Sequence, residues 1–433
     1  MSKADNSDAA ASGRPPSNDA YSVLRNRDFL VYLIGRFIAN LGQQMFVMAV
    51  GWELYERTHS ALPLLMIGLT QVVPMVVCTL PAGHVADNYN RKKIIIAMSL
   101  VVLLAMLGLA LTSALHASLN WTYLCLFVTG AARTFLGAAS AAFLPALVDR
   151  KDLSQAVNWS ASVFQISCIL GPILAGVLID LAHGDNAAWV YGATAAATLA
   201  FCVLLGFVRR HHTVAVREKM TFRGLLTGFR FVFASRIILG IITLDMFAVL
   251  LGGAIMLLPI YAKDILHVGP TGLGLLKAAM PVGAVLCTLV LAHRPPLQKA
   301  GRALLWAVAI FGLATIGFGL SANYWLSLLM LFICGASDNV SVVVRHTLVQ
   351  LLTPDDRRGR VSAVNNLFIG TSNELGDVES TAVAHLFGPV MRQTLATGAV
   401  ISAVSGGIGT ILVVLAVALI WPEIRKYGRL DAH

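Results

Sequence analysis

Long apolar runs of this 433-residue chain carry charges that a membrane interior would accept only for a purpose. Arg36, Arg133, Asp245, Lys277, Asp338, Arg345, Glu374 and Asp377 all fall inside such runs. An ionisable group near the centre of a bilayer costs several kcal/mol, so each one marks a polar pathway or a buried pair by default. Spacing places them on shared faces. Arg36, Asn40, Gln43 and Gln44 stand at i, i+4, i+7 and i+8, one stripe of a helix. Thr129, Arg133, Gly137 and Ser140 make a second stripe, Asp338 and Arg345 are seven residues apart, and Asn366, Asn373 and Asp377 align beside Glu374. Such stripes line water or face another helix, because lipid would leave them unsatisfied. The chemistry they suit is recognition of a polar solute and exchange of protons, since desolvation favours a neutral carboxyl. For Asp245 and Asp338 the alternative is structural, with Asp338 paired to Arg345 or Asp245 to Lys277. The first half offers Arg36 and Arg133, which suit an anion; the second offers an excess of acids, which suits a cation. Glu53 and Asp180, near helix ends, read as interfacial.

The elements that must position these groups are membrane helices. A span needs about 20 mostly apolar residues to cross about 30 Å of hydrocarbon. Twelve such runs occur, from 29–55 to 395–421, with 236–260 as the seventh and 361–388 as the eleventh. Their length excludes alternating β-barrel strands. With 57% hydrophobic and only 12% charged residues, the chain is not a soluble domain. The formal charge of +10 could suggest a nucleic-acid partner, but 25 of the 32 Lys and Arg fall in the N-terminal tail, the even-numbered connections and the C-terminus. That is the positive-inside pattern, so both termini are expected in the cytoplasm and no nucleic-acid role remains. The expected organisation is a disordered tail over 1–27, a six-helix bundle over 28–208, a central cytoplasmic loop over 209–235, a second six-helix bundle over 236–422 and a tail over 423–433. Ser154-Gln-Ala-Val-Asn158 recurs as Ser362-Ala-Val-Asn365, which supports a repeat of two pseudo-symmetric halves. The six cysteines show no CxxC pair and no neighbouring His at ligand spacing. No metal or cofactor is expected.

After the second run stands Gly83-His-Val-Ala-Asp87-Asn-Tyr-Asn-Arg91-Lys92-Lys93. It resembles the loop signature of the major facilitator superfamily, Gly-x-x-x-Asp-(Arg)-x-Gly-Arg-Lys, with Asn88 for the usual Arg and Asn90 for the second Gly. Asn tolerates the left-handed conformation such a Gly often supplies. The resemblance implies a gating role for Gly83, Asp87 and Arg91, the Asp pairing across the bundle interface. Arg133 with Gly137 resembles the family's Arg-x-x-x-Gly motif, and Gly171-Pro172-Ile-Leu-Ala-Gly176 its Gly-Pro motif common among antiporters, with Ser167 in place of one upstream Gly. Close packing explains Gly171, Pro172 and Gly176 equally well. The run from Leu352 to Asn365, followed by Asn373-Glu374-Leu-Gly-Asp377-Val-Glu379-Ser380, is similar to the enterobactin-exporter-like (transmembrane secretion effector) branch. This resemblance, over roughly residues 21–425, implies export of siderophores or drugs.

The expected protein is an all-α membrane protein of the plasma membrane, the inner one in a two-membrane bacterium. It reads as a monomeric, proton-coupled exporter that rocks two halves around a midplane cavity. Its expected partners are a small-molecule substrate, protons and the lipid bilayer. Import, or flipping of an amphiphilic lipid-like substrate, is the alternative on the same fold. An enzyme is disfavoured because no Gly-x-Ser-x-Gly, His-Glu-x-x-His or phosphate-binding Gly-x-x-x-x-Gly-Lys-Ser/Thr pattern occurs. Were Asp245 the proton carrier, Asp245→Asn would abolish pH-driven flux in proteoliposomes.

Overall fold

A computed structural model of the chain describes residues 21–182, 187–209, 229–294, 298–354 and 358–428. Most of the expected tail, the central loop over 210–228 and the last five residues lie outside the described residues. The long helices are α1 (Arg27–Thr58), α2 (Ala61–Asn88), α3 (Arg91–Ala114), α4 (Leu119–Leu147), α5 (Leu153–Leu181) and α6 (Ala188–Phe207). They continue with α7 (Arg236–Gly252), α8 (Pro270–Ala292), α9 (Ala300–Gly319), α10 (Tyr324–Leu352), α11 (Arg358–Phe387) and α12 (Leu395–Ile420). A short helix, α13 (Pro422–Lys426), follows. Among the described residues there is no strand, as hydrocarbon demands of a chain that must satisfy every backbone group within each segment. Among the described residues eleven helical segments are long and apolar enough to cross a membrane. The long helix left out is α11, whose Asn, Ser, Asp and Glu residues lower its apolar character.

Side chains start and stop these helices where the sequence changes. Asn26 accepts from the backbone of Asp28 and Phe29 and so caps α1, while His59 closes it in the left-handed region at φ 48°. Asn90 has φ −64° and accepts from the Lys93 amide at 3.3 Å. It therefore replaces the expected glycine as an extended N-cap of α3, not as a left-handed turn residue. Lys92 donates to the carbonyls of Gly206 at 3.1 Å and Val208 at 2.7 Å, which closes the free end of α6. Residues 22–25, assigned to the disordered tail by composition, form a 3-10 turn with Val23 buried in the core around Phe29 and Phe143.

Packing repeats. In the first group α1 lies on α5 and α6, α3 on α4 and α6, and α2 on α4; in the second α7 lies on α11 and α12, α9 on α10 and α12, and α8 on α10. Between the groups α5 runs along α8 and α2 along α11. These two seams exchange under the same shift that carries α1 to α7. The largest core cluster spans both groups, joining Trp52 and Tyr55 of α1 to Tyr261 and Phe318.

The seventh run departs from the continuous helix expected over 236–260. α7 stops at Gly252, and the chain continues through short 3-10, α and π turns to Ile265. The Ser380 hydroxyl of α11 donates to the carbonyl of Gly253, which supplies a partner where the helix ladder is interrupted.

The α5–α8 seam is made by backbones in direct contact. A Cβ at Gly176 would collide with the Pro270 carbonyl, and one at Gly274 with the Pro172 carbonyl. Gly274→Val should therefore lower the stability of the detergent-solubilised protein by about 1–3 kcal/mol, the usual range for overpacking. Thermal unfolding followed by intrinsic fluorescence measures it.

Candidate functional site

A cavity of about 660 Å³ lies between the two groups. Its walls are mostly apolar, with Phe46, Phe164, Phe311, Phe318, Met256 and Met280 among them, and the interrupted end of α7 contributes Gly252, Gly253 and Ala254. Five charged side chains face it: Arg133 from α4, Lys277 from α8, Asp338 from α10, and Glu374 and Asp377 from α11. Volume and lining are those of a site for a small organic solute, apolar with a few convergent polar groups.

Four of these charges form a chain across the group boundary. Arg133 interacts electrostatically with Glu374, Glu374 with its neighbour Asp377 one turn on, and Asp377 with Lys277. Gln71 of α2 steadies the first member, accepting from Arg133 Nη1 at 3.3 Å. Asp338 stands apart, with no hydrogen bond or ion pair to it among the described residues, although its charge reaches the Cys334 thiol one turn away. A carboxyl with no cation at its side is the member whose charge can change without breaking a pair.

The other residues predicted for the pathway lie off the cavity, whereas Pro172, predicted for gating, lines it. Asp245 and Arg345 are both buried and pair with each other, joining α7 to α10. This replaces both expected pairings, Asp338 with Arg345 and Asp245 with Lys277. Arg36 Nη1 donates to Ser140 Oγ at 3.1 Å and joins α1 to α4 in the same manner. Asn40 and Gln43 are half-buried outside the lining, and Gln43 Nε2 has no hydrogen-bond partner among the described residues. Their neighbour Gln44 reaches the cavity instead and donates to Cys168 Sγ at 3.1 Å. Sequence reasoning missed Gln71 and Gln165, whose only signal was an uncharged amide in an apolar run. Gln165 donates to the Pro281 carbonyl at 3.2 Å and crosses the α5–α8 seam.

One face of the molecule is closed by polar contacts between the groups. Lys263 Nζ meets Glu56 at 2.5 Å, Tyr55 donates to Asp264, and Asp180 accepts from the Thr271 amide at 3.1 Å and from its hydroxyl. Glu53 is buried, held by Tyr191 at 2.7 Å and Arg57 at 3.6 Å, rather than interfacial, whereas Asp180 is exposed near the end of α5. The opposite face differs. One turn from Arg133 and from Glu374 in that direction, Gly137 and Gly370 have no neighbouring atom within 4 Å of where a Cβ would stand.

The sequence profile of the Major Facilitator Superfamily matches residues 32–376. The chain belongs to the Major Facilitator Superfamily. Among curated relatives, the enterobactin exporter EntS of Citrobacter koseri is 30% identical over 404 residues, which is 92% of this chain and 93% of that protein. That of Escherichia coli O1:K1 / APEC is 29% identical over the same shares. Among solved structures, a bacterial homolog of the human lysosomal transporter Spinster, inward-facing and unoccupied, superimposes with a TM-score of 0.71 at 13% identity, covering 95% of this chain and 100% of that one. A bacterial homologue of the iron transporter ferroportin in its inward-facing state gives 0.68 at 14% identity, covering 94% and 100%. Family and relatives make this multi-pass membrane protein a transporter rather than an enzyme.

Within this superfamily chain, the residues expected to gate occupy two kinds of place. Gly171 packs against Gln44 of α1, and Pro172 and Gly176 lie on the α5–α8 seam. Near the C-terminal end of α2 a Cβ at Gly83 would meet no atom within 4 Å, and at the start of α3 Arg91 is buried and donates to the Ala86 carbonyl at 3.3 Å. Asp87 makes no hydrogen bond or ion pair among the described residues, so no cross-bundle pair to it is seen there.

Removing one partner of the buried ion pair leaves the other uncompensated. Asp245→Ala should cost about 3–5 kcal/mol of stability, and Asp245→Ala with Arg345→Leu should recover part of the loss. Thermal unfolding of the single and double variants measures the coupling.

Proposed function

We propose that this transporter exports a small siderophore-like or drug-like molecule in exchange for protons, by alternating access of the central cavity. In this reading all twelve long helices cross the plasma membrane with both termini cytoplasmic, and α11 crosses despite its polarity because its charges face the cavity. The two bundles, 28–208 and 236–422, rock as a monomer around the site, joined by the loop over 209–235. The observation that carries the reading is the charged chain Arg133, Glu374, Asp377 and Lys277, which links the two groups at the cavity. The face with the polar ties carries few basic residues, whereas the turns of the other face hold Arg91 to Lys93, Lys151, Lys299 and Arg302. By the positive-inside rule the open face is cytoplasmic, which is where an exporter collects its substrate.

The residues divide the work. Arg133 and Lys277 offer cationic donors to an anionic or catechol-like group, with Gln44 and Gln71 beside them, while the aromatic and methionine side chains hold an apolar body. Asp338 is the proton-exchanging carboxyl, because its charge is not tied to a neighbouring cation. In the resting cavity Glu374 and Asp377 occupy the cations, and an anionic substrate competes for them. Gly83, Asp87 and Arg91 act in the state where the open face closes, and Gly176 with Pro172 sets how closely α5 and α8 slide.

The test is transport in proteoliposomes with an imposed pH gradient, comparing a catecholate siderophore with a lipophilic cation. Gradient-dependent movement of the siderophore is expected. Arg133→Ala should weaken its apparent affinity about tenfold, the worth of one hydrogen bond to a charged group. Asp338→Asn should remove the dependence on the gradient while leaving downhill exchange. Movement of the cation alone would redirect the substrate assignment, and gradient-independent flux of the wild type would remove protons from the mechanism.

A further inference from the structure

A second basic site lies away from the cavity, on the face that carries the α8–α9 turn. The short helix α13 is seated on the start of α9. Gly301 packs directly under the Ile424 carbonyl, where any side chain would collide, and the Ala300 amide donates to the Gly428 carbonyl at 3.1 Å. This seating brings Arg425 beside Arg302, and the two guanidinium groups, with Leu305 and Trp306, line one surface pocket. Two like charges held together in this way call for an anion. The acid of α13, Glu423, pairs instead with Arg236 at 3.7 Å. Arg302 and Arg425 make no hydrogen bond or ion pair among the described residues, and both are exposed.

The rest of the pocket says what kind of anion. Trp306 is 68% exposed, and Arg302, Trp306, Ile310 and Leu313 follow one another at i, i+4, i+8 and i+11, a single outward stripe of α9. A charged end, an exposed indole next to it and apolar side chains beyond repeat the order of a phospholipid from headgroup to acyl chain. A soluble phosphate would use only the first of these three. We propose that Arg302 and Arg425 bind the phosphate of an anionic phospholipid, with Trp306 at the glycerol level and its acyl chain along α9. The bound lipid pins α13, and with it the start of α9 and of α7, to the membrane surface.

Native mass spectrometry of the full-length protein tests this, with dioleoylphosphatidylglycerol, dioleoylphosphatidylcholine and inorganic phosphate as the probes. The wild type should retain phosphatidylglycerol about tenfold better than phosphatidylcholine, and Arg302→Ala with Arg425→Ala should erase that preference. Lys93→Ala with Lys151→Ala removes the same charge from exposed positions of the same face under the first group and should preserve it. Thermal unfolding confirms that each variant is folded; should the double alanine variant be unstable, Arg425→Gln alone should reduce the preference severalfold. An unchanged preference in a folded Arg302→Ala/Arg425→Ala or Arg425→Gln variant overturns the site. Full displacement of the lipid by millimolar inorganic phosphate overturns the lipid assignment and leaves a phosphate site.

Discussion

A charge inside hydrocarbon must reach water or a counter-charge, and the arrangement of both helix groups follows from how this chain meets that demand. It does so in two ways with different consequences. Asp245 with Arg345, and Arg36 with Ser140, are satisfied inside one group, between its first and fourth helices. Such contacts keep the same partners whatever the groups do relative to each other. Arg133 and Glu374 come from opposite groups, so their interaction changes whenever the groups move. Pairs of the first kind tie helices within each group, and the chain of the second kind ties one group to the other at the cavity.

The boundary itself is made mostly by close backbone contact. Along α5 and α8 the contact is backbone on backbone at Gly176 and Gly274, which gives a large dispersion contact without committing buried polar groups. Apart from the Gln165 contact and the charges at the cavity, the polar ties described between the groups gather on the closed face, where Lys263 and Glu56 remain partly exposed. An ion pair in that setting is worth about 0–1 kcal/mol, because water takes the place of either partner. Moving the same pair to the level of Arg133 would make opening much more costly, since no solvent would replace it.

The sequence reached much of this and stopped at definite points. Charges in apolar runs are rare enough that Arg133, Lys277, Asp338, Glu374 and Asp377 were legible one by one, and all five line the cavity. Their partners were not legible, because helical spacing fixes which residues share a face and not which neighbour that face meets. Gln43 and Gln44 illustrate the limit: one residue is a rotation of about 100°, and it separates a buried amide from a cavity-lining one. The interruption of α7 was visible only as Gly252-Gly253 within an otherwise apolar run, too little to overrule the length of that run. Arg302 and Arg425 read as ordinary cytoplasmic anchors in sequence, since the seating of α13 on α9 that joins them is tertiary.

The broken symmetry of the cavity carries the functional argument further than the symmetry does. The seams α2–α11 and α5–α8 correspond under the repeat, yet α1 runs unbroken for 32 residues while its counterpart α7 ends at Gly252 against the cavity. The polar groups that the first group's side chains bring to the lining are Arg133 and the amides of Gln44, Gln71 and Gln165. The second presents acids, Lys277 and the backbone of an interrupted helix, whose carbonyl at Gly253 already has Ser380 as its partner. A substrate bridging the two groups would meet cation and amide donors on one wall and carboxylates with a single ammonium on the other. Two unlike walls orient an asymmetric molecule, whereas two equal ones would hold it either way round. Within a repeated fold, that difference gives the cavity a polarity across the group boundary.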